Sequence, residues 1–227
     1  MRNILLIILS LVTINSFGQQ WIEFQVDPSL TITIPENYEL TDTLGQKGVI
    51  AQIDNGLILL TVMQNKGKTK LNIQNENDLI EAYKGIQRGV TRSQNGQLIK
   101  EEILDKEALK ILRFSISAIM ENERQIRHFL IVFLNDNIYM LNFWELESMS
   151  NEMSEIREKL FSSIKFPSTA TMEDQKSQVV QGSTSYNISY LIGQIIGYLL
   201  ILGLIVLFIM YFVKRLKRKK IRDTMQT

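Results

Sequence analysis

The chain of 227 residues has no cysteine, a single histidine and only three prolines. Without cysteine there is no disulfide framework and no thiolate zinc site, so any folded part must be held by an ordinary apolar core. The lone histidine, His128, lacks the second imidazole or thiolate that would complete a metal set, and no metal or cofactor is expected. Also missing are a Gly-x-Ser-x-Gly elbow, a Walker loop and a His-Glu-x-x-His segment, the local geometries of serine hydrolysis, phosphate binding and zinc peptidases. Basic surface is scarce as well. Between residues 19 and 187, 17 lysines and arginines stand against 23 acidic residues, which does not suit a nucleic-acid partner.

What the chain does have is one long greasy run. Ile188 to Val213 contains 17 Leu, Ile, Val or Phe residues and no charge, and the nine residues after it include Lys214, Arg215, Lys217, Arg218, Lys219, Lys220 and Arg222. As a helix the run reaches about 39 Å, enough for a hydrocarbon core of roughly 30 Å. The basic cluster fixes its orientation, with the tail 214–227 on the cytoplasmic side. At the other terminus Arg2, the apolar stretch Ile4 to Ile14, and Ser16-Phe17-Gly18 have the layout of a signal peptide covering residues 1–18. The Ser-Phe-Gly-Gln junction resembles those of exported proteins of Bacteroidetes-type bacteria. That likeness implies a single-pass protein of the bacterial inner membrane, its N-terminal domain periplasmic.

Between signal and span lies room for one domain, 19–166. Period-two alternation at Ile22, Phe24, Val26 and at Leu30, Ile32, Ile34 predicts a hairpin across Asp27-Pro28-Ser29. Val49 to Ile53 and Leu57 to Met63 form a second, joined by Asp54-Asn55-Gly56, where a positive φ is expected. Leu79, Tyr83, Ile86 and Val90 predict an amphipathic helix after a capping Asn75 to Asp78 stretch. Four strands follow, Leu98 to Leu104, Leu109 to Met120, Gln125 to Leu134 and Ile138 to Glu145, with short turns that imply an antiparallel meander. Both faces of the last two are apolar, so they are expected to be central. Met149, Met153, Ile156, Leu160 and Ile164 predict a second helix ending before Phe166-Pro167. The expected class is α+β, a central, mainly antiparallel sheet flanked by helices, plus one transmembrane helix. Residues 167–187, dominated by Ser, Thr and Gln, read as a flexible linker.

Leu30-Thr-Ile-Thr-Ile-Pro-Glu-Asn-Tyr38, the central helix, Asn137-Ile-Tyr-Met-Leu-Asn-Phe-Trp144 and Ser163-Ile-Lys-Phe166 resemble the PsbP-like superfamily, which includes the Mog-type Ran-binding proteins and exported bacterial domains of unknown function. The resemblance covers Trp21 to Phe166 and implies an α/β/α sandwich. No catalytic motif is shared, so it carries over no site residue.

Among candidate chemical groups, His128 at the start of a central strand reads as structural. Glu101-Glu102 and Glu145/Glu147 are carboxylate pairs that could act as acid and base but read as solvated surface. Tyr139, Phe143, Trp144 and Trp21 read as core, or alternatively as the lining of an apolar cleft. In the span, Ser189, Gly193, Gln194 and Gly197 form a small-residue face suited to close helix contact and to a homo-oligomer. The expected function is a non-enzymatic, membrane-tethered module that docks another envelope protein. A binding module for an apolar or lipidic ligand, and an envelope hydrolase, are the alternatives.

Overall fold

A computed structural model describes residues 19–43, 46–66, 70–120, 122–177, 189–195 and 197–198. The expected signal segment, the basic tail, most of the span and the second part of the linker, 178–187, lie outside them. The strands are β1 (Trp21–Asp27), β2 (Leu30–Pro35), β3 (Tyr38–Thr43), β4 (Gln46–Ile53), β5 (Gly56–Gln64), β6 (Gln97–Lys106), β7 (Leu109–Met120), β8 (Glu123–Leu134) and β9 (Asn137–Leu146). Helix α1 (Glu76–Ser93) precedes β6 and α2 (Ser154–Ser162) follows β9. Seven strands form one antiparallel sheet in the order β3-β4-β5-β9-β8-β7-β6, and β1-β2 is a separate hairpin.

Each element follows from its residues. Asn75 caps α1 by accepting from the Asp78 N–H, acidic residues occupy its first turn and Arg92 its last, as the helix dipole favours. Its buried stripe of Leu79, Tyr83, Ile86 and Val90 packs on Leu112, Phe114, Phe129 and Met140 of the sheet. The opposite face of the sheet is covered by Leu160, Phe161 and Ile164 around α2 and by Leu30, Ile32 and Ile34 of the hairpin. The second outer layer is therefore a helix with a β-hairpin, rather than helices alone. Strands β8 and β9 are buried from both sides, as their doubly apolar pattern implies.

Three expectations change. Tyr38-Glu-Leu-Thr-Asp-Thr43, too polar to signal a strand, is edge strand β3; its partner β4 supplies the order. Positive φ falls not on Asn55 but on Asn135 (49°) and Asp136 (56°), where the two-residue β8–β9 turn needs both. Finally, the domain does not stop at 166. Residues 167–177 run back over the fold, making a 3-10 turn at Met172–Gln175 and a bridge between Ile73 and Ser177. Gln175 there is fully buried. Its polar composition, which suggested a free linker, instead satisfies buried backbone groups.

The first residues of the expected span, 189–195 and 197–198, are helical and lie against α1. Among the described residues no helix is long and apolar enough to cross a membrane.

Candidate functional site

The register of the central strands builds a polar cluster beneath α2. Ser115 on β7 lies opposite His128 on β8, and Glu145 follows two residues after His128's partner, Phe143, on β9. All three side chains point to the α2 face. Ser115 Oγ stands 2.8 Å from His128 Nδ1, and His128 Nε2 stands 3.1 Å from Glu145 Oε1. A carboxylate only accepts, so Nε2 carries the proton and donates. The same oxygen accepts from Ser150 Oγ and from Arg157 Nη1 of α2, each at 2.6 Å. Glu145 Oε2 is buried without a partner. Beside this chain Arg113 grips both oxygens of Glu158 in a two-pronged pair. Above them opens a cleft of about 260 Å³, rimmed by Lys100 and Glu102.

Electrostatics tie these groups together. Burial pushes the Glu145 carboxyl up, but the hydrogen bonds from His128 and Ser150 and the charge of Arg157 bring it below its ordinary range. The Arg113 hydrogen bonds hold Glu158 low as well. The cations of the cleft are thus already matched by its own carboxylates.

Serine, imidazole and carboxylate thus stand in a row. Ser115 sits mid-strand between β6 and β8, beside an irregularity of β6 between Leu98 and Lys100. Through Arg157 the cluster also ties α2 to the sheet.

The sequence candidates distribute as follows. His128 bonds to Ser115 and to Glu145, and Glu145 is buried rather than solvated. The alternation of β9 places position 145 inward, and only the donors waiting there make a carboxylate tolerable. Glu147 is exposed and pairs with Arg124 at 3.5 Å; Glu101 is exposed, while Glu102 reaches the cleft. Tyr139 and Phe143 pack in the α2-side core and Trp144 in the α1-side core, so the three cannot line one apolar cleft. Trp21 is half-buried under Lys159. A second polar cluster gave no sequence signal: Arg127, buried with no carboxylate partner among the described residues, stacks 4.0 Å over Trp144 and donates to Gln94 and Gln125. Burial lowers its guanidinium to about 10.

Of the small-residue face, Gly193 and Gly197 meet α1, Ser189 is buried, and Gln194 donates to Tyr190. A Cβ on Gly193 would stand 2.2 Å from the Ile86 carbonyl oxygen, and one on Gly197 1.7 Å from Ser93 Oγ. On α1, a Cβ on Gly89 would stand 2.2 Å from the Tyr190 carbonyl oxygen. Arg92 Nη1 adds a 2.8 Å bond to the Tyr190 hydroxyl. Small residues spaced four apart on both helices allow this approach. Gly89→Ala is therefore expected to lower the thermal midpoint of the full chain, although alanine favours an isolated helix by about 1 kcal/mol. A raised midpoint would mean the contact does not form.

No protein-family model matches the chain, nor does any curated protein. Solved structures do resemble it. Cyanobacterial PsbP (CyanoP) from Synechocystis aligns at a TM-score of 0.49 and 10% identity, over 67% of this chain and 96% of its own. LpqN of Mycobacterium tuberculosis, involved in cell envelope biogenesis, aligns at 0.39 and 10%, over 65% and 91%. The Saccharomyces cerevisiae Ran-binding protein Mog1p aligns at 0.39 and 7%, over 66% and 96%. Two of the three, PsbP and Mog1p, bear the names of the superfamily that the sequence resembles.

Proposed function

We propose that this chain is a single-pass protein of the bacterial inner membrane, its periplasmic domain a non-catalytic accessory module that docks another envelope protein. The observation that carries this reading is the cleft: its inner groups are spent on one another, and at its rim the Lys100–Glu102 and Arg113–Glu158 pairs present mixed charge to solvent. A pre-paired polar hollow of this kind favours a partner's charged side chains over an apolar ligand. The filled cores on both faces of the sheet weigh against the lipid-binding alternative.

The test is a photo-crosslinking amino acid at Lys100 of the full-length protein in native membranes. One reproducible protein adduct is expected, lost when Glu158→Arg reverses charge at the rim. Adducts only to lipid or solvent, or a hydrolytic activity abolished by Ser115→Ala, would overturn the proposal.

A further inference from the structure

The contacts between α1 and the C-terminal helix advance together. Ile86 meets Gly193, Gly89 meets Tyr190, Gly193 and Gln194, and Ser93 meets Gly197. The two helices run parallel, so the chain leaves 198 at the end of the domain where α1 itself ends. From there the turn at Asn95-Gly96 starts β6, whose first residues lie beside the end of β7; the start of β8 and the end of β9 complete this tip.

Exposed apolar side chains stand on both faces of this tip, Leu98 on the α1 side of the sheet and Ile119 on the α2 side. Among the described residues seven large apolar side chains are exposed. Leu98, Ile99 and Ile119 belong to the tip, and Leu191, Ile195 and Tyr198 form the outward stripe of the docked helix; only Leu40 lies elsewhere, on edge strand β3. Ile119 is 74% exposed, a cost that a monomer in water gains nothing by accepting.

Chain length says what covers it. If 189–198 stays on α1, the apolar residues 199–213 remain, and 15 residues of helix reach about 22 Å against the roughly 30 Å of a hydrocarbon core. The shortfall of about 8 Å is closed when the last turns of the docked helix enter the bilayer, taking the tip with them. That depth matches the 5–10 Å to which interfacial apolar faces sink. Tyr198 then lies where aromatic side chains favour the interface.

We propose that the domain rests tip-first on the outer face of the membrane, its Leu98, Ile99 and Ile119 covered by lipid, with the docked helix as a fixed bracket instead of a loose leash. This rests on the reading of 188–213 as a span.

A chain without cysteine makes the test direct. Full-length Ile119→Cys, Leu98→Cys and Leu40→Cys variants, each carrying one environment-sensitive fluorophore, are reconstituted in phosphatidylethanolamine and phosphatidylglycerol vesicles. Labels at 119 and 98 are expected to shift to the blue and lose roughly half their emission to a doxyl-lipid quencher, as groups at interfacial depth should. The label at 40 should do neither. An alkaline carbonate wash separates the two readings: release of the protein overturns the span and the inference together, whereas retention with a label at 119 as solvent-like as that at 40 overturns the inference alone.

Discussion

Glu145→Leu is expected to destabilise the domain by about 3 kcal/mol, the range found when one partner of a buried ion pair is removed. The side chain of Glu145 is wholly buried and its Oε1 receives His128, Ser150 and Arg157 together. Removing it strands a guanidinium that is itself mostly covered. Part of the loss should return in the double variant Glu145→Leu, Arg157→Leu, because both charges then leave; strictly additive losses in a double-mutant cycle would show that the pair is not coupled. The pH dependence gives a second reading of the same network. Glu145 and Glu158 are both held below their ordinary range, so their contribution is present above about pH 4.3, the unfolded value, and is lost as pH falls through the folded one. Wild-type protein should therefore lose stability on the acid side more steeply than Glu145→Leu. Equal acid limbs in denaturant titrations would contradict the depressed carboxyls. Glu147→Gln, on an exposed side chain, should change stability by no more than about 0.5 kcal/mol.

Gln175→Leu is expected to cost about as much, near 3 kcal/mol, in a stretch whose composition suggests no structure at all. The amide nitrogen stands 2.9 Å from the carbonyls of Lys110 and Phe133 and 3.2 Å from the Tyr83 hydroxyl, its two hydrogens shared among the three, and the amide oxygen accepts from the Lys110 N–H at 2.8 Å. Tyr83 in turn bonds Lys110 and the Phe133 N–H, and its burial raises the phenol far above its usual range. Leucine would fill the space yet leave the Lys110 donor and the Phe133 acceptor unpaired, at about 1–3 kcal/mol each. For a domain of this size that is a fall of about 10 °C in midpoint, readable by calorimetry or circular dichroism. A midpoint within a degree or two of wild type would return 167–177 to the status of a tether.

Where burial repeats with a period, pattern sufficed to place the elements: Leu79, Tyr83, Ile86 and Val90 on α1, and the doubly apolar β8 and β9. Position 145 follows the same alternation, but a carboxylate in that slot reads as surface until its donors are known, and these come from residues 5 and 12 places further on. Ser115 and His128 meet only through the register of β7 on β8. Register depends on turn lengths and on which face is covered, so no local spacing announces it. Gln175 is the extreme case, since its three partner residues lie 42 to 92 residues away.

The strand order splits the sheet into two runs of neighbours in sequence, β3-β4-β5 and β6-β7-β8-β9, welded by the single seam of β5 against β9. As the chain is made, Leu57 to Met63 emerge with one edge bare and wait for partners that lie 75 to 87 residues further on. By its long sequence separation, closure of that seam is expected to be the slow step in assembling the fold, and the bare edge is the place where a half-made chain is open to aggregation.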